Sequence, residues 1–281
     1  MTDVAVGPTR APGDQGPTRL WVVLPLRALG HWMANYKRTW KGTIFTGVLE
    51  PVFFLAAMGI GLGTIVNANT NGQGLGGFSY LEYLAPGLLA ANALQTAMFE
   101  STYPVMGGTR WDKKYFAQIA TPLRPSDVFS GHLIFIAFRV VSMAAIFLAV
   151  MVIFDVVRSP MAIIALLVSL LLGLAIATPV CAFAVRQEDD TGFAMLFRFG
   201  MVPMFLFSGT FFPVSQLPDA IEWVAWLSPL WHAVDLSRSL VLGGDLAIGP
   251  GLAAIHVGYL ALWLVGGYVL AARAYQRRLV S

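Results

Sequence analysis

The sequence predicts an all-α integral membrane protein. It should have six transmembrane helices, an N-terminal interfacial helix, a cytoplasmic amphipathic helix after the second span and re-entrant extracellular helices before the last. Three observations predict this. Hydrophobic residues make up 57% of the 281 residues and charged residues 12%, about half the charge of a soluble domain. Six apolar runs approach the roughly 20 residues a helix needs to cross a bilayer. Lysine and arginine gather on alternate connections, as the positive-inside rule requires.

Taken in order, residues 1–19 are rich in Pro, Gly and Thr and read as a disordered tail. The apolar patch "LWVVLPL" is too short for a cleavable signal and is broken by Pro25 and Arg27. Residues 20–41 read as an amphipathic interfacial helix. At 100° per residue, Leu26, Leu29, Trp32, Met33, Tyr36 and Trp40 share one face, opposite Arg27, His31, Arg38 and Lys41. The alternative is an ordinary basic flank. Residues 43–272 form the six-helix domain. Its spans fall near Thr43–Gly63, Leu84–Tyr103, Val128–Phe154, Pro160–Val185, Phe193–Phe212 and Leu252–Ala272. Residues 273–281 form a C-terminal tail. With the N-terminus inside, fourteen of the eighteen Lys and Arg residues fall on cytoplasmic segments and only Arg158 and Arg238 outside. Both termini are therefore expected to be cytoplasmic, in a multi-pass protein of the inner membrane.

The densest polar stretch, Arg110–Asp127, lies between the second and third spans. As a helix from Trp111 it places Trp111, Tyr115, Phe116, Ile119 and Leu123 on one arc. Lys113, Lys114 and Gln118 lie opposite, and Pro122 and Pro125 stop it. Such a rod could dock on a partner; a solvated, positively charged turn is the plainer reading. Four ionisable residues fall within spans: Glu50, Glu100, Arg139 and Arg198. An intramembrane charge is costly and avoids lipid. Estimated depth pairs Glu50 with Arg139 and Glu100 with Arg198, as structural ion pairs or as the polar lining of a path. Before the last span, "PDAIEWVAWLSPLWHAVDL" is too short to span twice and too apolar for a free loop, which suggests a re-entrant pair of helices. Trp223, Trp226 and Trp231 then sit at the outer interface, as belt anchors or as platforms for a sugar or lipid head group.

Several chemistries have no support. The net charge of +3 sits in short blocks beside apolar runs, which suits a lipid surface rather than nucleic acid. Cys181 is the only cysteine, and His31, His132, His232 and His256 are scattered, so no metal-ligand spacing exists. There is no P-loop, H-E-x-x-H or G-x-S-x-G motif, and "GIGLG" (Gly59–Gly63) has no following lysine. The chain is not expected to be an enzyme or to hold a cofactor.

The segments "EPVFFLAAMGIGLG", "YLAPGLLAANALQTAMFESTY", "YFAQIATPLRPSDV" and "SGTFFPVSQLPDAIEWVAWLSPLWHAVDLSR" resemble permease subunits of type-2 ABC exporters, in the nodulation-protein J and daunorubicin-exporter branch. The resemblance covers roughly Lys37–Arg273. Where that branch often carries Gly-Glu at the start of the third span, this chain has Gly131-His132. The resemblance implies that the loop after the second span is a coupling helix seated in a separate ATPase chain, which binds ATP and Mg. Trp111, Tyr115, Phe116 and Ile119 would be its knobs, with Lys113, Lys114 and Arg124 as charge partners. It implies a second permease chain, surrounding membrane lipids and an amphipathic cargo: a lipo-oligosaccharide, glycolipid, polysaccharide or drug. A secondary transporter driven by an ion gradient is the alternative. That class favours inverted repeats and midplane charges, and no convincing repeat relates the two sets of three spans. A lipid-modifying membrane enzyme would need a catalytic cluster, and none is visible.

Overall fold

A computed structural model describes residues 17–70, 75 and 77–280. The expected tail lies outside the described residues as far as residue 16. Among the described residues there are twelve α-helices and no strand. They are α1 (Pro17–Ala56), α2 (Gly63–Thr70), α3 (Tyr80–Ser101), α4 (Tyr103–Met106), α5 (Lys114–Ile119), α6 (Pro125–Ile153), α7 (Ala165–Ala184), α8 (Thr191–Met195), α9 (Val202–Phe207), α10 (Asp219–Trp226), α11 (Pro229–Leu242) and α12 (Pro250–Val280).

Four helical stretches are long and apolar enough to cross a membrane: Leu24–Val66, Pro125–Ile153, Pro160–Ala184 and Pro250–Val280. Two other expected spans are helical but differ in kind. The 22-residue α3 is less apolar, because Glu82, Asn92, Gln95 and Glu100 interrupt it. Thr191–Phe207 is a shorter apolar helix, widened by a π-turn at Leu196–Met201.

The structure corrects three boundaries. Residues 20–41 and the first span form one unbroken helix, since nothing stronger than Gly42 separates them. At 1.5 Å per residue α1 is about 60 Å long, more than a bilayer accommodates. Pro25 and Pro51 lie inside it. Residues 17–19 belong to this helix, not to a tail. Residues 273–280 are likewise the last turns of α12, where Arg277 and Arg278 oppose the negative end of the helix dipole.

The buried heart is α7, which packs against α3, α6, α11 and α12. Small residues set these crossings. A Cβ on Gly173 would stand 2.8 Å from Val140, and one on Gly267 would stand 2.6 Å from the Pro179 ring. A Cβ on Gly131 would meet Ala28 at 2.6 Å and the Pro25 carbonyl at 2.8 Å, so α1 lies against α6 nearly backbone to backbone. Pro125 opens α6 at its first turn, where the backbone N–H of Arg124 donates to the Asp127 carboxylate at 2.9 Å.

Candidate functional site: a polar cleft beside the Arg110–Asp127 segment

Arg139, on α6, donates from Nε to Glu100 on α3 at 2.8 Å, and both side chains are largely buried. This corrects the pairing by depth, which joined Glu50 to Arg139 and Glu100 to Arg198. Helical phase decides the matter: Glu100 faces α6. Glu50 and Arg198 are exposed and form no ion pair among the described residues.

The pair sits where two cavities meet. One, of about 310 Å³, opens between α1, α3 and α6 and is lined by Trp32, Tyr36, Glu100, Tyr103, Trp111, Asp112, Lys114 and Arg139, among others. The second, of about 180 Å³, continues to Glu50 past Asn92, Gln95 and Thr96. A third, of about 40 Å³, starts from Glu50 and Asn92 and runs beside Pro51 to Phe205. The third is a mostly apolar pocket beyond Glu50, while the first two share Glu100 and Arg139 and make one polar cleft along α1. Three buried atoms on its walls have no hydrogen-bond partner within the described residues: Arg139 Nη1, Trp32 Nε1 and Asn92 Oδ1. Such atoms cost free energy unless something polar meets them. Arg139 also lies 5.5 Å from the Tyr36 ring centre.

The loop segment differs from the sequence-based rod. A π-turn runs from Gly107 to Trp111, Lys113 adopts a left-handed backbone (φ 51°), and α5 starts only at Lys114. Trp111 and Phe116 therefore do not share one helical arc. Both are exposed, Trp111 by 61% and Phe116 by 37%. Lys113 is exposed, and Lys114 pairs with Asp112 at 2.5 Å. Tyr115 is not a knob. It is fully buried and its hydroxyl is hydrogen-bonded to His132 Nδ1 at 2.9 Å. Trp32 stacks on His132, with ring centres 4.1 Å apart and planes within 7°. Tyr275 packs on Tyr115 at 5.7 Å. One side chain thus pins α5 to α1, α6 and α12. Ile119 and Leu123 rest half-buried on the same core. Arg124 is exposed at the start of α6. Beside this segment Glu188 pairs with both Arg110 and Arg278, the latter at 3.4 Å, and so ties the loop after α7 to the end of α12.

The outer-interface tryptophans divide as well. Trp223 and Trp226 on α10 are exposed. Trp231 on α11 is half-buried and packs on the rings of His232 and His256. Arg238, also on α11, is buried over the Tyr83 ring at 3.8 Å and donates to the carbonyls of Tyr83 and Gly209. Sequence reading noted His132 only as a departure from the Gly-Glu of the branch it resembles, and it missed Asn92 and Gln95. Polar residues one helical turn apart on α3 were the available signal.

Four helical stretches long and apolar enough to cross a membrane, a small-residue core and a polar cleft reaching a loop segment are the build of a helical multi-pass membrane protein. Residues 30–242 match the ABC-2 type transporter family, and the chain belongs to it. It is similar to nodulation protein J of Rhizobium leguminosarum bv. viciae, 28% identical over 258 residues, 89% of this chain and 95% of that protein. Nodulation protein J of Sinorhizobium fredii is 28% identical over 92% of this chain and 95% of the relative. That of Bradyrhizobium diazoefficiens is 27% identical over 92% and 97%. The chain is thus an ABC transporter permease, a transmembrane transport subunit.

Proposed function

We propose that this chain is one of two permease halves of an ATP-driven exporter in the cytoplasmic membrane, moving an amphipathic cargo outward. The cargo class is a lipo-oligosaccharide, glycolipid, polysaccharide or drug. Six spans cross the membrane, with α3 and Thr191–Phe207 completing the four longer stretches and both termini in the cytoplasm. α10 and α11 re-enter from the outer side. ATP and Mg are bound by a separate ATPase chain.

One observation carries the reading. Trp111, Asp112 and Lys114 belong to the exposed loop segment and also line the cleft that holds Glu100 and Arg139. A partner that grips Trp111 and Phe116 from the cytoplasm would move the cleft wall, because Tyr115 fastens α5 to the bundle. Force from ATP turnover would enter there and reshape a path for a polar head group. The lipid part of the cargo would stay against the open face of α1.

Trp111→Ala and Phe116→Ala test this. Both side chains are exposed, so insertion and folded yield should hold. Losing an aromatic anchor costs about 2 kcal/mol, roughly a thirtyfold loss of affinity for the ATPase. Unchanged copurification and export in both variants would overturn the assignment.

A further inference from the structure

His232 and His256 are 24 positions apart, yet α11 and α12 bring their Nδ1 atoms to 2.7 Å. The contact is the middle of a chain. His232 Nε2 lies 3.0 Å from the backbone carbonyl oxygen of Trp226, and His256 Nε2 lies 3.1 Å from Asp235 Oδ2. The chain runs from the end of α10 through α11 to α12 and back to α11. Both histidines are buried, while the Asp235 side chain is 30% exposed and gives the chain one contact with solvent.

Counting protons decides what this chain holds. Its two ends, a carbonyl oxygen and a carboxylate, only accept. Three hydrogen bonds therefore need three protons from the groups between. Two neutral imidazoles carry one N–H each, which is two. With two protons, one of the three contacts must set acceptor against acceptor. With four, two imidazoliums would set N–H against N–H at 2.7 Å. Three protons complete every bond: one histidine is an imidazolium beside the Asp235 carboxylate, or the carboxyl holds the proton and both rings are neutral. The site titrates as a unit.

We propose that His232, His256 and Asp235 form a binding site for one proton, and that this proton locks the α10–α11 hairpin onto the last helix. Burial first, and then the second imidazole, push His232 down to about 4 although the Trp226 carbonyl and Asp235 pull the other way, so His232 is the weaker seat for the charge. Arg238 and Tyr83 are the other titratable groups that face Asp235. Tyr259 of α12 stacks on His232 at 4.0 Å, and its hydroxyl donates to the Leu227 carbonyl, which closes the site from the α12 side. The proton is held when the hairpin is docked and released when it parts from α12. Docking is therefore favoured at lower pH and weakened as pH rises. On the topology proposed above, this end faces outside, so external acidity would hold the hairpin shut.

The test separates the site from that topology. Ring-nitrogen NMR of the intact chain in lipid nanodiscs would be followed from about pH 5 to 9, the range that brackets an ordinary histidine. His232→Gln and His256→Gln identify the two sets of resonances. The parent should lose one proton, shared across His232, His256 and Asp235, in a single step. Asp235→Asn supplies a donor at the end of the chain, so two neutral rings then satisfy all three bonds. That variant should show no step and should keep the Nδ1–Nδ1 bond. Amide protection across Pro229–Leu242, taken relative to the base-catalysed intrinsic rate at each pH, should fall at alkaline pH by up to about tenfold in the parent, as loss of one hydrogen bond allows. That protection should stay flat in Asp235→Asn. Two neutral rings in the parent throughout, or an unchanged step in Asp235→Asn, overturn the proposal. So does stoichiometric zinc binding to both rings at neutral pH. The histidine step keeps its meaning even if reporter fusions reverse the topology.

Discussion

Arg139 and Glu100 lie 39 positions apart and meet at 2.8 Å, joining α6 to α3 at the junction of two cavities. Removing one partner of a buried pair leaves a charge without compensation, which costs about 3–5 kcal/mol. Glu100→Gln and Arg139→Gln should each lower folded yield and thermal stability sharply. Glu100→Leu with Arg139→Met should recover much of the loss. Glu50→Gln should do little to stability. Additive losses in the Glu100–Arg139 cycle would argue against the pair.

Tyr115 should behave as a fastening rather than as a contact for a partner. Tyr115→Phe removes the hydrogen bond to His132 and should cost about 1 kcal/mol. Tyr115→Ala also leaves a cavity among Trp32, His132 and Tyr275 and should cost about 3–5 kcal/mol. Thermal unfolding in detergent measures both. The exposed Trp111→Ala should fall within about 0.5 kcal/mol of the parent.

Gly131 lets α1 lie against α6. Gly131→Val would drive side-chain atoms into the Pro25 carbonyl and Ala28. Overpacking of this kind costs about 1–3 kcal/mol. Protease sensitivity of residues 24–42 should rise, because the N-terminal half of α1 would lift. Gly30→Ala has no close neighbour and should leave the digestion pattern unchanged.

Glu82 reports on the end of α3. Its carboxylate accepts from the Ser79 backbone at 2.7 Å and from Arg158 at 2.6 Å. Desolvation pushes its pKa up, but the Ser79 hydrogen bonds and Arg158 outweigh it and hold the carboxyl below its ordinary value. A depressed carboxyl stabilises the fold above its unfolded pKa, about 4.3, and that contribution is lost as pH falls through the folded value. Acid unfolding below about pH 4.5 should therefore be gentler in Glu82→Gln than in the parent.

Reporter fusions check the orientation. A reporter active only outside the cytoplasm should be silent after Val280 and active when inserted at Ser159. The reverse pattern would invert the topology.

Much of this protein was legible in its sequence. Apolar run length alone located α6, α7 and α12, because an unbroken greasy helix is a one-dimensional property. Turn chemistry reads Pro125 as a stop, whereas it opens α6 three residues before the expected start at Val128. What failed was rotation and continuity. A heptad-style arc from Trp111 assumed ideal helix through residues that form a π-turn and a left-handed kink at Lys113, so Tyr115 came out on the wrong face. Depth estimates paired Arg139 with Glu50 because they carry no information on azimuth. The contact between His232 and His256 depends on how α11 and α12 cross, which no local spacing encodes.

The first helix carries a last consequence. From Pro17 to Ala56 it is one continuous helix whose weak points are Pro25 and Pro51, and it is longer than the membrane is thick. Between those prolines the helix runs uninterrupted from Trp32, stacked on His132, to Glu50, so a push on that stretch would be passed along it rather than absorbed. Any tilt of its N-terminal half would be delivered to Glu50 and Pro51 with the direction reversed about whatever fulcrum Gly131 provides. The chain would then work as a seesaw, opening on one side of the pivot as it closes on the other.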